Sequence, residues 1–146
     1  MTPHRQLIGK RIGGIGHILL REMYERRFPG VPIIEVPSQC TEMAKLVCNS
    51  FFSVKIAFFN EMHDWADAEG VDWEALMQAV LSDGRIAHSH TNVPGQDGER
   101  GYGGACLPKD IANAASRLER LGLIPHVMSA AIANNNKYRS TAKVGQ

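Results

Sequence analysis

The segment Gly101-Tyr102-Gly103-Gly104-Ala105-Cys106-Leu107-Pro108-Lys109-Asp110 gathers a thiol, a cation and a carboxylate within five residues, behind a run of glycines. Pro108 suits the first position of a helix, where its missing N–H costs nothing. Cys106 then faces the positive end of the helix dipole, with Lys109 beside it. Both effects favour thiolate, the nucleophilic form of cysteine. Asp110 follows Cys106 by four residues, about one helical turn, which sets the two side chains on one face. These residue types at this spacing suit covalent catalysis through sulfur. Two plainer readings stand beside it: a cysteine also serves as a small buried apolar residue, and glycines mark turns. The glycines also leave the backbone bare near the sulfur, which suits close approach of a ligand.

The elements that must hold this segment follow from periodicity and punctuation. Residues 6–9 read as a short strand, and residues 14–28 as a helix with Ile15, Ile18, Leu19, Met23 and Tyr24 at helical spacing. Pro29, Gly30 and Pro32 stop that helix, and residues 32–36 read as a second strand. The unit has the form of the closing piece of a parallel α/β sheet. Residues 38–69 then form one long helix, with no glycine or proline from Thr41 to Glu69. Ser38 or Thr41 is expected to cap its start, with Glu42 in the first turn. Its apolar residues run almost all round, from Met43 through Phe51 and Phe58 to Trp65, so it needs burial on most sides. A second copy of the helix would supply part of that burial, which implies a homodimer.

On this helix Lys45, Asn49 and Ser53 stack at a four-residue step. They read either as a solvated stripe with the lysine outermost or as a polar seam aimed into a pocket. Asp72 caps a helix that ends near Leu81. Residues 83–105 form a glycine-rich loop of the length that often carries function. A helix from Pro108 to about Leu121 ends at Gly122, and a last helix runs from about Pro125 into a polar tail.

Composition narrows the class. The 146 residues are 44% hydrophobic and 21% charged, with net charge +1, as expected of an ordinary soluble globular domain. No broad field points to nucleic acid or an anionic membrane. No apolar run approaches the ~20 residues that span a bilayer. The first residues have no apolar stretch of the secretory type, and a cytoplasmic setting is expected. The three cysteines, Cys40, Cys48 and Cys106, make neither a disulfide framework nor a zinc pattern. Cys40 and Cys48 read as packing residues. His88 and His90 read as solvated loop residues, with no metal site expected. Arg21, Arg26 and Arg27 alternate with Glu22 and Glu25, as on a solvated helix face.

Three blocks in order resemble the UDP-glucose/GDP-mannose dehydrogenase family. Residues 42–49, running on to Phe59-Asn60-Glu61, are similar to its long central helix. Asp83-Gly84-Arg85-Ile86 is similar to its arginine segment, and Gly101 to Asp110 to its cysteine motif. The resemblance implies a mainly α fold: a long-helix dimerisation domain of the 6-phosphogluconate-dehydrogenase C-terminal type over residues 38–146. Residues 1–37 resemble the end of a Rossmann-type NAD-binding domain. It also implies an NAD-dependent, two-step oxidation of a nucleotide sugar at C6, through a thiohemiacetal and then a thioester on the cysteine. Cys106 is then the nucleophile, Lys45 and Asn49 steady the oxyanion, and Asp110 serves the hydrolytic water. Lys109 lies near the cofactor, Arg85 reaches the nucleotide sugar across a dimer interface, and Asn92 and Gly103 lie against the substrate. Leu107-Pro108-Lys109-Asp110 is similar to both UDP-glucose and GDP-mannose enzymes. The loop over residues 89–98 is nearer to UDP-glucose enzymes, so UDP-glucose to UDP-glucuronate is the expected reaction, in the service of polysaccharide synthesis.

One departure matters. Gly13-Gly14-Ile15-Gly16 is the nearest approach to the family's G-x-G-x-x-G turn, and Leu19 stands where the third glycine belongs. The chain is therefore expected to lack most of the cofactor domain and to be inactive alone, either as part of a split enzyme completed by a separate NAD-domain subunit or as a truncated remnant of one. The alternative expectation is a non-catalytic dimerisation or sugar-nucleotide-binding module of the same descent.

Overall fold

The computed structural model describes residues 3–10 and 14–139. Its elements run β1 (Gln6–Lys10), α1 (Gly16–Arg27), β2 (Ile33–Pro37), α2 (Ser38–Glu69), α3 (Trp73–Leu81), α4 (Leu107–Arg120) and α5 (His126–Tyr138). The fold is mainly α with a short strand–helix–strand at its start, as expected. The chain divides into two compact units, Met1–Val47 and Cys48–Gln146, and the boundary falls inside α2. Gly13 and the polar tail over residues 140–146 lie outside the described residues.

In the first unit β1 and β2 pair in parallel, with Gln6 opposite Ile33 and Lys10 opposite Pro37. Gly9 permits the first turn of α2 to lie against β1: a Cβ there would stand 2.9 Å from Thr41 Oγ1 and 3.0 Å from Ser38 Cα. Two details of the expected helix start are corrected. The hydroxyl of Thr41 donates to the Ser38 carbonyl (2.6 Å) from inside the first turn, and Glu42 falls beyond that turn. The helical spacing of α1 holds, yet Ile15, Ile18, Leu19 and Met23 are all exposed, and none of its residues is buried. Their cover is not among the described residues of this unit. Arg21, Arg26 and Arg27 form the solvated face expected, with Arg21 paired to Glu25 at 2.9 Å.

The second unit closes around Ala57 of α2, Tyr102 of the long loop, Ile111 of α4 and Ala131 of α5. Small residues at 57 and 131 leave room for the Tyr102 ring between their helices. Asp72 caps α3 by accepting from the Glu74 N–H at 3.0 Å. Gly122, at φ +74°, follows the last turn of α4. The expectation that α2 is covered nearly all round is not met by this chain. Met43, Val47, Phe51, Phe58 and Trp65 are exposed by 52 to 62%. At 100° per residue they fall on a single stripe. Buried residues flank the stripe on both sides, Ser50, Ser53, Ala57 and Asn60 on one and Phe59 and Ala66 on the other. Cys40, read as a packing residue, is exposed, while Cys48 is half-buried.

Candidate functional site

The cysteine loop meets α4 as the residue types require. Cys106 occupies the N-cap position with its side chain exposed. Its carbonyl accepts from the Asp110 N–H at 2.9 Å, the first bond of the helix. Leu107 takes the first helical position and Pro108 the second, one place later than expected, and still among the N–H groups that have no partner within the helix. Asp110 is turned inward and is only 3% exposed. A buried carboxylate needs donors. Asn49 of α2 supplies one, its Nδ2 reaching Asp110 Oδ2 at 2.6 Å. Ser53, fully buried, donates to the Asn49 carbonyl at 2.9 Å. The Asn49–Ser53 part of the polar stripe therefore faces α4 and not solvent. Lys45, a turn earlier, is exposed and belongs to the other compact unit. Lys109 is exposed, with Nζ 3.9 Å from Asp110 Oδ1.

The expected substrate residues fall in two places. Asn92 and Gly103 line one cavity of about 450 Å³, with His90, Asp97, Gly104 and Arg139. Leu107, next to Cys106 in the chain, lines it as well. Arg85 stands apart on the surface, forked onto Asp83 with Nε 2.9 Å from Oδ1 and Nη2 2.5 Å from Oδ2. The fork holds the Asp83 carboxyl below its usual range and the Arg85 guanidinium above its own. Among the described residues no group of three or more His, Cys, Asp or Glu is placed to hold a metal ion.

Sequence reasoning missed the residues that hold the loop. Lys55 donates to the carbonyls of Ala87 (2.5 Å) and Ser89 (2.8 Å), and burial lowers the pKa of its ammonium. His90, read as merely solvated, has φ +63° and stacks on Phe52, ring centroids 4.1 Å apart. Burial, then the nearby Lys55, pushes its imidazole pKa down. Arg100 pairs with Asp64 at 2.7 Å and lies over the Tyr138 ring. Asp64 is drawn down to about 2, first by the Tyr138 hydroxyl, then by Arg100. Tyr102 is buried at 3% exposure, which pushes its phenol up to about 12. Asn60, which accepts from the Gly101 N–H, closes the apolar run Ile56-Ala57-Phe58-Phe59, and that polar ending was its available signal. Asn135, which bonds both backbone groups of Tyr102, stands in the run Asn134-Asn135-Asn136, where nothing local marks it out.

Comparison with known proteins gives this arrangement a family. Residues 39–137 match the central domain of the UDP-glucose/GDP-mannose dehydrogenase family, and the chain belongs to that family. It is 31% identical to a GDP-mannose 6-dehydrogenase of Pseudomonas putida, over 91% of this chain and 29% of the relative. It is 31% identical to a UDP-glucose 6-dehydrogenase of Rickettsia conorii, over 94% of this chain and 30% of the relative. In structure it is similar to a UDP-glucose dehydrogenase of the hyperthermophilic archaeon Pyrobaculum islandicum. The TM-score is 0.79 at 29% identity, covering 93% of this chain and 30% of that one. The chain thus spans about three-tenths of the length of these relatives. Among the described residues no helix is long and apolar enough to cross a membrane.

Proposed function

We propose that this chain is the substrate and dimerisation module of an NAD-dependent nucleotide-sugar 6-dehydrogenase, with UDP-glucose as substrate and UDP-glucuronate as product. The observation that carries the proposal is the 2.6 Å tie between Asn49 and Asp110, which joins α2 to the first turn of the helix that Cys106 caps.

Among the described residues no G-x-G-x-x-G turn leads into a helix. Leu19, at the place of the third glycine, is a side chain on α1. NAD, which supplies the hydride acceptor, is therefore assigned to a Rossmann-type domain beyond these residues, in a longer chain or a separate subunit. Lys109 would face that cofactor. The division at residues 37/38, into the end of such a domain and a helical domain, belongs to the same proposal.

The residues here would act on the sugar carbon. The Cys106 sulfur adds to the C6 aldehyde carbonyl, and the carbonyl oxygen becomes an oxyanion that takes a proton to give the thiohemiacetal. Lys45 and Asn49 supply donors for that oxyanion; Asn49 has a second amide N–H beyond the one spent on Asp110. At the thioester stage Asp110 accepts a proton from the attacking water, and the thiol leaves as the uronate forms. Asn92 and Gly103 border the cavity in which the sugar nucleotide lies, and Arg85 reaches it from a second copy. The exposed α2 stripe of Val47, Phe51, Phe58 and Trp65 supports that second copy. Changing Phe58 to Asp is expected to halve the mass seen by sedimentation if the stripe is the dimer seam; an unchanged mass would exclude it.

Purified chain mixed with UDP-glucose, NAD and a companion NAD-binding domain is expected to reduce NAD. Lack of turnover with every such companion would count against catalysis. A second reading, a binding module without chemistry, is favoured by the absence of a dinucleotide turn at Leu19. It predicts that UDP-glucose raises the melting temperature, that Lys45→Ala abolishes the rise, and that Cys106→Ser leaves it intact without turnover under any condition.

A further inference from the structure

Five backbone groups between Arg100 and Tyr102 meet side chains. The Arg100 carbonyl accepts from Arg139 Nε at 2.9 Å, and the Gly101 carbonyl from Arg139 Nη2 at 3.3 Å. The Gly101 N–H donates to Asn60 Oδ1 at 3.1 Å. Asn135 takes both groups of Tyr102: its Oδ1 accepts from the N–H at 2.7 Å, and its Nδ2 donates to the carbonyl at 3.1 Å. The two asparagines are buried, at 1% and 7% exposure, and come from different helices, α2 and α5. Asn60 is held the right way round because its Nδ2 donates to the Ile56 carbonyl at 2.9 Å. Two such residues do for this stretch what a neighbouring strand does in a sheet.

The clamp also calls for glycine at position 101. Gly101 has φ +76°, and a Cβ there would come within 2.5 Å of Asn135 Oδ1. A Cβ on Gly103 would overlap the Arg139 guanidinium.

We infer that Asn60 and Asn135 are positioning residues for Cys106, an inference that rests on reading Cys106 as the nucleophile. Only Gly103, Gly104 and Ala105 separate the clamped segment from the cysteine. On its far side Cys106 is held by α4, and Ile111 of α4 packs in the same core as Tyr102. Anchors at both ends thus fix where the sulfur stands relative to the N–H groups at the helix start. Cys106 is already exposed, so loosening the loop gains no access. It lets Cys106 leave the N-cap position of α4, and with it the orientation in which the sulfur reacts.

The test is the alkylation rate of Cys106 by iodoacetamide at neutral pH, read by peptide mass spectrometry so that Cys40 and Cys48 are counted apart, beside the melting temperature. Asn60→Leu and Asn135→Ala are expected to slow Cys106 roughly two- to fivefold in protein that is still folded. Asn60→Asp keeps the acceptor for Gly101 and is expected to recover most of the rate. Arg139→Gln, at a partly exposed site, gives a milder slowing and serves if either asparagine variant fails to fold. Unchanged or faster alkylation in the folded variants, with only the melting temperature lowered, would overturn the inference and leave the asparagines a structural role. Wild-type Cys106 reacting no faster than N-acetylcysteine would instead overturn the nucleophile reading, while the variant-to-wild-type ratios still decide positioning.

Discussion

The two compact units treat their apolar residues in opposite ways. In the helical unit Ile111 is fully buried, and Ala57, Tyr102 and Ala131 close around it. Among the described residues of the strand–helix–strand unit only Ile8 is a buried apolar residue, while Ile15 at the N-cap of α1 and Leu19 and Met23 on it are exposed. Helix α1 was legible from its periodicity although it is bare, so periodicity reports a helix and not its cover. A two-stranded parallel sheet with one helix is the sort of unit that needs more strands and a second layer to be stable. The difference is one of cover: α1 and the stripe of α2 are bare, and the core of the second unit is closed.

That contrast can be broken by paired substitutions. Ile111→Ala removes a fully buried side chain and is expected to cost about 2–5 kcal/mol in urea unfolding followed by helical circular dichroism. Leu19→Ala on α1 is expected to cost less than about 0.5 kcal/mol in the same assay, as an exposed site does. Equal costs would mean that α1 is covered in solution. Asn49→Leu comes next. It deprives the buried Asp110 carboxylate of its 2.6 Å donor and is expected to cost about 1–3 kcal/mol. A cost near zero would show that the tie joining α2 to α4 is not needed.

The acid response is smaller and sharpens the account of the loop. Asp64 sits at about 2, below the ordinary 3.8, because Tyr138 and Arg100 favour its ionised form. A depressed folded-state value stabilises the fold above the unfolded value, and the contribution is lost as pH falls from about 4 through about 2. Denaturant midpoints should therefore drop across that window in the wild type and drop less in Asp64→Asn. Parallel curves would remove the Asp64 cluster from the account.

Much of the architecture was legible because local signals agreed with it. The glycine-free run from Thr41 to Glu69, the Asp72 cap, Pro108 and Gly122 each mark a boundary by backbone chemistry alone. The cysteine motif was legible as a string of types. What holds it was not: Asn60 and Asn135 act on residues about forty and thirty-three positions away, and such pairings exist only once the helices have packed. Cys40 and Glu42 were misread for a related reason. Their surroundings are set by where α2 starts against β1, and helix ends shift by a residue or two for small energetic causes.

The most direct test asks whether Cys106 lies in a nucleotide-sugar pocket. Iodoacetamide labelling of the chain is measured with and without saturating UDP-glucose, and the labelled peptides are counted separately. The account predicts that UDP-glucose protects Cys106 and leaves exposed Cys40 unchanged. Equal labelling of Cys106 with and without both UDP-glucose and GDP-mannose would contradict it.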